Sequence, residues 1–528
     1  MQILAADQIR QLEQRTFEEL GLPPALVMDT AGRAIAQAIL QRQGPGQGRY
    51  CTVLAGIGNN GGDGLVAARV LAANGYRAEV FVAGEPNRMT PETRLHFEAA
   101  KRHGGVEFRF VQQAPRGGEL QGLRRSLGRS AAIIDALAGI GLQGDLREPQ
   151  LTLASQLDGR YRALTVAADM PSGLCSVTGR VLGAAVKCHL VVTMLAAKPG
   201  LFLGQGPAHW QQLEVVDIGV PPQWTQAVAP CGVIIDDALA VTLLPKRPDH
   251  GHKGTFGHLF VVAGSPGKGG AAILCAGAAL RTGAGLVTLG TSGEIRQRLE
   301  GSIPDVMVEA VRGGASEAKR VEKLLHKKTA VAVGPGLGTG AAEVDLVQRL
   351  CASCAVPILL DADGLNALAV KPDLADSAKG RLVLTPHPGE MARLLGCEIA
   401  DIEADRMAAA TAAAHKWQAV VVLKGARSLV VAPDGAWGIV NQPNAALAKG
   451  GSGDVLSGVI GSLLSQGLQP LQAAKLGVAI HAKAGQLLRN RWGSRGGTAS
   501  DLLACVAAAV AALEGVAVPE LVAADPEL

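Results

Sequence analysis

The nine residues GGSGDVLSG at positions 450–458 place a glycine-rich turn directly before an apolar helix, with one acid at the junction. Glycines let the backbone approach a ligand closely, and the free N–H groups and partial positive charge of a helix start attract phosphate or a developing oxyanion. The carboxylate of Asp454 opposes such an anion, so its presence there indicates a group that handles a proton or a metal. The structural alternative is a first-turn acid that is merely stabilised by the helix dipole.

On both sides of this turn, short apolar runs alternate with helical stretches, which predicts βαβ units and mostly parallel sheets. The predicted strands of the first half are 51–55, 78–82, 131–135, 163–169 and 190–193. Those of the second half are 258–263, 286–289, 330–333, 358–361, 382–385 and 420–423, followed by a hairpin at 428–432 and 436–440. Between them, residues 219–230 are rich in proline and lack either period, so we predict α/β domains at 1–222 and 223–528.

Composition limits the classes of function. The 528 residues are 48% hydrophobic and 18% charged, with 68 glycines, which is typical of a folded α/β protein. A net charge of +4 without long single-sign runs argues against nucleic acid and anionic membrane as partners. The first residues do not resemble a signal peptide, no apolar run reaches about 18 residues, and the nine cysteines form no dense framework. We therefore expect a cytoplasmic protein.

In the second half, seven short motifs follow one another in a fixed order. They are KGTFG at 253–257, GS at 264–265, GPGLG at 334–338, DADGLN at 361–366, TPHPGE at 385–390, KG at 424–425 and GSGD at 451–454. This ordered set resembles the ribokinase-like superfamily and, within it, the ADP-dependent NAD(P)H-hydrate dehydratases. The resemblance covers roughly residues 230–515 and implies a ribokinase-like α/β domain.

The resemblance also implies roles for individual residues. The hydrate-binding positions are Ala271, Gly338, His387 and Asp454, with Asp454 as the catalytic acid/base. The nucleotide-binding positions are Lys424, Gly425, Ala426, Arg427, Ser428 and Gly453. A lysine and bare amides provide the positive potential that a diphosphate needs. The implied cofactor is Mg²⁺ with the nucleotide, for which the resemblance favours ADP over ATP.

In the first half, three polar clusters follow predicted strands, and the carboxyl ends of parallel strands form the ligand crevice of an open α/β sheet. The clusters are NNGGDG at 59–64, DALAGIGL at 135–142 and DMPSG at 169–173. The first lacks the Gly-Lys-Ser/Thr ending of a Walker A motif and the spacing of a dinucleotide-binding glycine loop. Together the three resemble an NAD(P)H-hydrate epimerase domain over roughly residues 9–220, which implies a Rossmann-like three-layer αβα fold.

Carried over position by position, this second resemblance implies a substrate site, a proton carrier and a metal site. Hydrate contacts are expected from Asn59, Asn60, Gly61, Gly62, Asp63, Gly139, Ile140, Gly141, Leu142, Gln143, Gly144, Asp145 and Asp169. Asp169 is the candidate catalytic proton carrier. Potassium is expected at Asn60, Asp135 and Ser172, whose oxygen ligands suit a hard cation.

We thus expect a bifunctional repair enzyme that catalyses two reactions. The first half would interconvert the R and S hydrates of NADH and NADPH (NADHX and NADPHX), and the second would dehydrate the S form with ADP, releasing AMP and phosphate. A homo-oligomer is expected. The alternatives left open are a ribokinase-like kinase of a vitamin or sugar alcohol fused to a ligand-binding α/β module, and a catalytically silent scaffold.

Overall fold

The computed structural model describes residues 1–311 and 318–517, which form two compact units. The first unit comprises Gln2–Gly232, and the second begins at Val233. Each contains one sheet with helices packed against it, as the alternation of apolar runs and helical stretches predicts. Both predicted α/β folds are therefore confirmed.

The first sheet is parallel throughout and has the strand order β4-β3-β2-β5-β6-β7-β8. The strands of this unit are β1 (Gln2–Ile3), β2 (Tyr50–Ala55), β3 (Arg77–Ala83), β4 (Val106–Val111), β5 (Ser130–Ala136), β6 (Leu164–Ala168), β7 (Leu190–Met194) and β8 (Gln212–Val216). The inner strands are buried on both faces and read as continuous apolar runs, which is why the sequence reveals them.

Helices cover both faces of this sheet. They are α1 (Ala6–Glu19), α2 (Pro24–Gln43), α3 (Asn59–Ala73), α4 (Pro91–His103), α5 (Gly117–Arg129), α6 (Gln150–Ser155) and α7 (Pro222–Ala227). Alternate strand residues such as Val53 and Ile134 join one apolar core with α1, α2 and α3. Because successive side chains of a strand point to opposite faces, their buried neighbours Leu54 and Ile133 face away from that core, and α5 contacts β2 and β5.

The second sheet is parallel except at its hairpin, and its strands run in the order β9-β18-β17-β16-β15-β14-β13-β10-β11-β12. They are β9 (Gly232–Ile234), β10 (His258–Val262), β11 (Leu286–Thr291), β12 (Met307–Ala310), β13 (Ala330–Val333), β14 (Ile358–Leu360), β15 (Leu382–Leu384), β16 (Val420–Leu423), β17 (Leu429–Val431) and β18 (Trp437–Ile439). The predicted hairpin is confirmed as β17 and β18.

The helices of the second unit complete its layers. They are α8 (Asp237–Leu243), α9 (Gly269–Arg281), α10 (Gly293–Leu299), α11 (Ala318–Leu325), α12 (Ala341–Ser353), α13 (Asp363–Val370), α14 (Pro388–Leu395), α15 (Ile399–Ala404), α16 (Arg406–Trp417), α17 (Ser452–Ser465), α18 (Pro470–Trp492) and α19 (Ala499–Leu513). Helix α17 packs against α9 and α18, and twelve of its residues are buried. This packing holds the glycine-rich turn at residues 450–453 in place at the edge of the sheet.

The compact units divide at residues 232 and 233, whereas the sequence places the domain boundary at 222 and 223. The segment between these two boundaries begins with α7, although its sequence shows neither a helical nor a strand period. A proline at the first helical position favours a helix start, but six residues are too few to show a helical period. Trp224 and Val228 pack against the core of the first unit, and the Arg15 guanidinium lies 4.0 Å from the Trp224 ring centroid. Among the described helices, none is long and apolar enough to cross a membrane.

Candidate functional site

The order of the first sheet reverses between β2 and β5, whose connections leave in opposite directions along the sheet. In open α/β sheets, the crevice at such a switch point, outside the carboxyl ends of the strands, is the usual ligand site. Residues 59–64 follow β2, and the loop containing Gly139 follows β5. The structure therefore places the predicted clusters of the first half at the same edge.

The NNGGDG motif forms the beginning of α3. The sequence prediction of a separate turn before the helix is therefore wrong. Two glycines of the motif are required by close packing. A Cβ on Gly61 would lie 1.9 Å from the carbonyl oxygen of Gly56, and one on Gly62 would lie 2.2 Å from the sulfur of Met28. These glycines bring the start of α3 against β2 and α2, so that Asn59, Asn60 and Asp63 are presented on the first helical turn.

Asp135 and Ser172, two of the expected potassium ligands, are directly linked. The Ser172 amide donates to Asp135 Oδ2 at 2.7 Å, and the Ser172 hydroxyl lies 2.9 Å from the Ala138 amide nitrogen. Both side chains are fully buried, and burial raises the pKa of Asp135 to about 6. The Asn60 amide nitrogen is buried without a hydrogen-bond partner among the described residues. The side-chain amide carries an oxygen at its other end, so rotation of the Asn60 amide would turn that oxygen to this position, as a hard cation requires.

Asp169 is held in a strained and highly connected position directly after β6. Its φ of 66° lies in the left-handed region, which Asp adopts more readily than most residues. Its Oδ1 atom accepts hydrogen bonds from the Thr193 hydroxyl at 3.0 Å and from the Lys198 ammonium. Lys198 is completely buried and also donates to Thr193 Oγ1 at 2.7 Å and to the Met194 carbonyl at 3.0 Å. The catalytic candidate is therefore one half of a buried ion pair.

Two acidic side chains near Asp169, those of Asp63 and Glu13, have raised pKa values. Burial, together with the charges of Asp169 and Glu13, raises the pKa of Asp63 well above its usual range. Burial and the charge of Asp169 likewise raise the pKa of Glu13 to about 6, although Lys198 and Arg10 oppose the shift. The sequence reading missed Glu13 and Lys198, because neither belongs to one of the glycine-containing motifs.

The loop that follows β5 is the most open part of this site. Gly139 is half-buried, and a Cβ there would lie 3.1 Å from Asn60 Oδ1, which places the loop against the start of α3. Farther along the loop, Gln143, Gly144 and Asp145 are exposed. The structure brings Asn60, Asp135, Gly139 and Ser172 close together but leaves the end of the loop in solvent.

In the second unit, Asp454 is the third residue of α17, and Gly451 precedes the helix with a φ of 89°. A Cβ on Gly451 would lie 2.7 Å from a methyl group of Leu274, so both conformation and packing require glycine here. Burial raises the pKa of Asp454 to about 6, and the charge of Asp361 adds to the increase while that of Lys424 opposes it. Asp454 can therefore exchange a proton near neutral pH.

Lys424 lies at the centre of a set of acidic side chains. Its ammonium nitrogen is 2.7 Å from Asp361 Oδ1 and 3.7 Å from Glu390 Oε2. A Cβ on Gly453 would lie 3.3 Å from the same nitrogen, so the charge sits against the start of α17. Burial alone would lower the pKa of Lys424, but Asp361 and Glu390 raise it, and the lysine stays cationic. A fixed positive charge beside free helix amides is an anion site.

The GPGLG loop reaches this cluster through Asp363, at the start of α13. The Gly338 amide donates to Asp363 Oδ2 at 2.8 Å, and Lys268 approaches the same oxygen at 3.3 Å. A Cβ on Gly336 would lie 3.1 Å from the Cβ of Ala271, so that the loop packs against the first turn of α9. Gly338 and Ala271, both predicted to bind the hydrate, are thereby placed beside the acidic cluster.

His387 lies in the loop after β15, as predicted, and is the N-cap of α14. Its Nδ1 atom accepts from the Gly389 amide at 3.0 Å and from the Glu390 amide at 3.4 Å. An Nδ1 that accepts leaves the proton of a neutral imidazole on Nε2. Half of this side chain is exposed, and its Nε2 atom lies 3.5 Å from Glu390 Oε1.

Two further side chains that the sequence reading missed support the glycine-rich turn. His481 on α18 places Nε2 3.0 Å from the Ser452 carbonyl oxygen and 3.1 Å from its hydroxyl, at the first residue of α17. Burial lowers the pKa of His481 to about 4, so it is neutral at physiological pH. Arg406 donates to the carbonyls of Leu423 and Lys424 at 3.1 and 3.0 Å. Nothing in a single sequence distinguishes these residues from ordinary helix residues.

Known proteins match both units. Residues 25–200 match the family described as YjeF-related protein N-terminus, and residues 259–508 match the NAD(P)H-hydrate dehydratase family. The bifunctional NAD(P)H-hydrate repair enzyme of Moorella thermoacetica is 36% identical over 510 residues, which cover 95% of each chain. That of Salinibacter ruber is 37% identical and covers 95% of this chain and 94% of its own. That of Escherichia coli is 36% identical, with coverage of 94% and 92%.

These relatives match the chain over both of its units. In chain order, the first unit carries the buried Asp169–Lys198 ion pair, and the second carries Asp454 at a helix start close to Lys424. The chain belongs to the family of bifunctional NAD(P)H-hydrate repair enzymes.

Proposed function

We propose that this protein repairs hydrated nicotinamide nucleotides in two reactions. The first unit epimerises the R and S hydrates of NADH and NADPH, and the second dehydrates the S hydrate with ADP, releasing AMP and phosphate. The observation that carries the proposal is the position of Asp454, a proton-exchanging carboxyl group at the helix start where Lys424 and free amides attract phosphate. The names of the full-length relatives agree with it.

Hydroxide is a poor leaving group, so dehydration requires the hydroxyl to be converted into a better one. Asp454 accepts the proton of the hydrate hydroxyl as the terminal phosphoryl of ADP is transferred to that oxygen, with Lys424 and the α17 amides balancing the charge of the phosphoryl oxygens. The lone pair of the ring nitrogen then expels phosphate to give an iminium, and loss of a proton from the adjacent ring carbon restores the dihydropyridine. His387 Nε2–H and the Gly338 loop orient the hydrate, while the segment from Lys424 to Ser428 lies along the nucleotide.

Epimerisation needs the same hydroxyl-bearing carbon to lose water and regain it on the other face. The ring nitrogen forms an iminium when water departs, and a carboxylate then takes a proton from the water that returns. Asp169, kept in place by Lys198 and Thr193, is the base of this step. Residues 59–63 and 139–145 surround the hydrate.

Two cations fit these sites. Asn60, Asp135 and Ser172 would hold K⁺, which would offset the buried charge of Asp135 and fix the edge of the crevice. Mg²⁺ would arrive with the nucleotide, held mainly by phosphate oxygens, and would supply charge neutralisation during phosphoryl transfer. Within 1–311 and 318–517, no group of three or more His, Cys, Asp or Glu side chains forms a metal site. Assembly as a homo-oligomer also stays a prediction.

A mixture of both epimers tests the two activities at once. With mixed hydrates, Mg²⁺, K⁺ and ADP, we expect dihydronicotinamide absorbance to recover completely, and AMP and phosphate to appear in equal amounts. In Asp169→Asn, the S fraction should recover at the normal rate and the R fraction slowly. Recovery of only one epimer by the unaltered protein would contradict an active first unit, and no recovery at all would favour a kinase or a scaffold.

The acidity of Asp454 predicts a pH dependence of dehydration. A base works only when ionised, so kcat/KM for the S hydrate should fall about tenfold per pH unit below a pH of about 6 and level off above it. Initial rates at saturating ADP between pH 5 and 8 would measure this pH dependence. Separate incubations would correct for the acid lability of the hydrate. A rate that stayed constant across this range would exclude Asp454 as the base.

A further inference from the structure

Helix α1 presents one carboxyl group toward the interior of the first unit. Ile9, Leu12 and Thr16 are buried and form the inner stripe of this helix. Glu13 lies on the same stripe by helical spacing and is half-buried, in contrast to the exposed Glu18 and Glu19 farther along. Glu13 precedes residues 25–200, which match the family of the first unit, so none of the matched motifs includes it.

The stripe that carries Glu13 borders the substrate crevice. Arg10, one turn earlier, donates from its guanidinium to the carbonyl oxygen of Ile140 at 3.4 Å. Ile140 belongs to the loop that is expected to contact the hydrate. Helix α1 therefore lies beside this loop, and Glu13, one turn after Arg10, is near enough to Asp169 for the two charges to interact.

Three carboxyl groups, Glu13, Asp63 and Asp169, interact with one another, and the buried Lys198 ammonium group acts on Glu13 and Asp169. The three N–H bonds of Lys198 are all used, by Asp169, by Thr193 Oγ1 and by the Met194 carbonyl. Of the three carboxyl groups, Asp169 is the one that pairs directly with Lys198. Glu13 and Asp63 face this fixed negative charge, which favours their protonated forms.

Carboxyl groups in different surroundings are a common basis of acid and base roles in an active site. Two carboxyl groups whose surroundings favour opposite protonation states can act as a proton donor and a proton acceptor at the same pH. Epimerisation through an iminium needs both, because the hydroxyl must be protonated to leave and the returning water must lose a proton.

We propose that Glu13 is a second catalytic residue of the first site, donating a proton to the departing hydroxyl while Asp169, positioned by Lys198, accepts one from the returning water. This inference rests on the proposed epimerase activity of the first unit. The bond between carbon and hydroxyl oxygen breaks as Glu13 gives up its proton and the ring nitrogen supplies the electron pair for the C=N bond. Water then adds to the opposite face, its proton passes to Asp169, and proton exchange with solvent restores both groups. The reverse reaction exchanges the two roles.

The test is the rate at which Glu13→Gln consumes the R hydrate in the full chain. With mixed hydrates, ADP, Mg²⁺ and K⁺, we expect initial R-hydrate consumption to fall by about 10²-fold or more, since general acid catalysis contributes typically 10²–10⁴-fold. S-hydrate recovery by the same protein should not change and reports that the chain is folded. Glu18→Gln, on the exposed side of α1, is the matched control and should leave both rates unchanged.

A pH profile separates a catalytic role from a structural one. In the unaltered protein, R-hydrate consumption should decline above a pH of about 6 as Glu13 ionises in the field of Asp169, Asp63, Lys198 and Arg10. Glu13→Gln should lack this decline, and Glu13→Asp should restore part of the rate together with a displaced decline. A normal R-hydrate rate in Glu13→Gln, or an identical decline in all three proteins, would overturn the inference. Failure of the unaltered protein to consume the R hydrate would instead contradict the proposed epimerase.

Discussion

Replacing Asp454 by Asn should reduce dehydration of the S hydrate by about two to four orders of magnitude, because the amide is nearly isosteric but cannot accept the hydroxyl proton. Binding of ADP should not suffer. The carboxylate of Asp454 repels phosphate at a helix start that otherwise attracts it, so its neutralisation should leave the affinity for ADP equal or higher. A loss of turnover without a loss of nucleotide affinity is the expected signature.

The measurement combines initial rates at saturating ADP with a titration of ADP binding in the absence of hydrate. Asp434→Asn serves as the control, because Asp434 is an exposed turn residue of the same unit whose Oδ1 atom accepts from the Ala436 amide. It should retain the normal rate. Turnover of Asp454→Asn within a few-fold of normal would remove Asp454 from the chemistry, and a parallel loss of ADP binding would indicate a damaged helix start.

The site around Asp454 can be predicted from the sequence, because its backbone requires glycines and its chemistry requires an acid within one short stretch. The conformation at Gly451 and the close approach at Gly453 are local requirements that a single sequence records. Lys424 could be found as part of a motif, but not its contacts with Asp361 and Glu390, which join residues that are far apart in the chain. Long-range electrostatics of this kind has no signature in local spacing.

The same distinction applies to the fold. Inner strands such as β2 and β13 are buried on both faces and stand out as apolar runs, and the sequence predicts them within one or two residues. The edge strands β4 and β8 were missed, because their residues are largely half-buried or exposed and show no such run. In the first site, Asp169 was predicted from its place after a strand, whereas Lys198 lies after the next strand and has no distinctive neighbours. Its importance becomes evident only from burial and contacts.

Lys198→Met should destabilise the first unit by about 3–5 kcal/mol and abolish epimerisation, because it leaves the Asp169 carboxylate buried without its counter-charge. Hydrogen exchange of peptides from β6 and β7 in a urea series would measure this unit separately from the second. Lys187→Met, which removes an exposed lysine from the same unit, is the control and should change stability by less than about 0.5 kcal/mol. Recovery of the S hydrate should persist in both variants.

The double variant Asp169→Asn/Lys198→Met distinguishes lost pairing from lost packing. Asn removes the unpaired charge and, like Asp, tolerates the left-handed backbone at residue 169, where φ is 66°. Replacing both members of a buried ion pair with neutral residues is often close to neutral for stability, so the double variant should regain most of the stability that Lys198→Met loses. Epimerisation should stay absent, because the base is gone. If the double variant were as unstable as Lys198→Met, the packing of the lysine stem, and not its charge on Asp169, would be what stabilises this edge of the sheet.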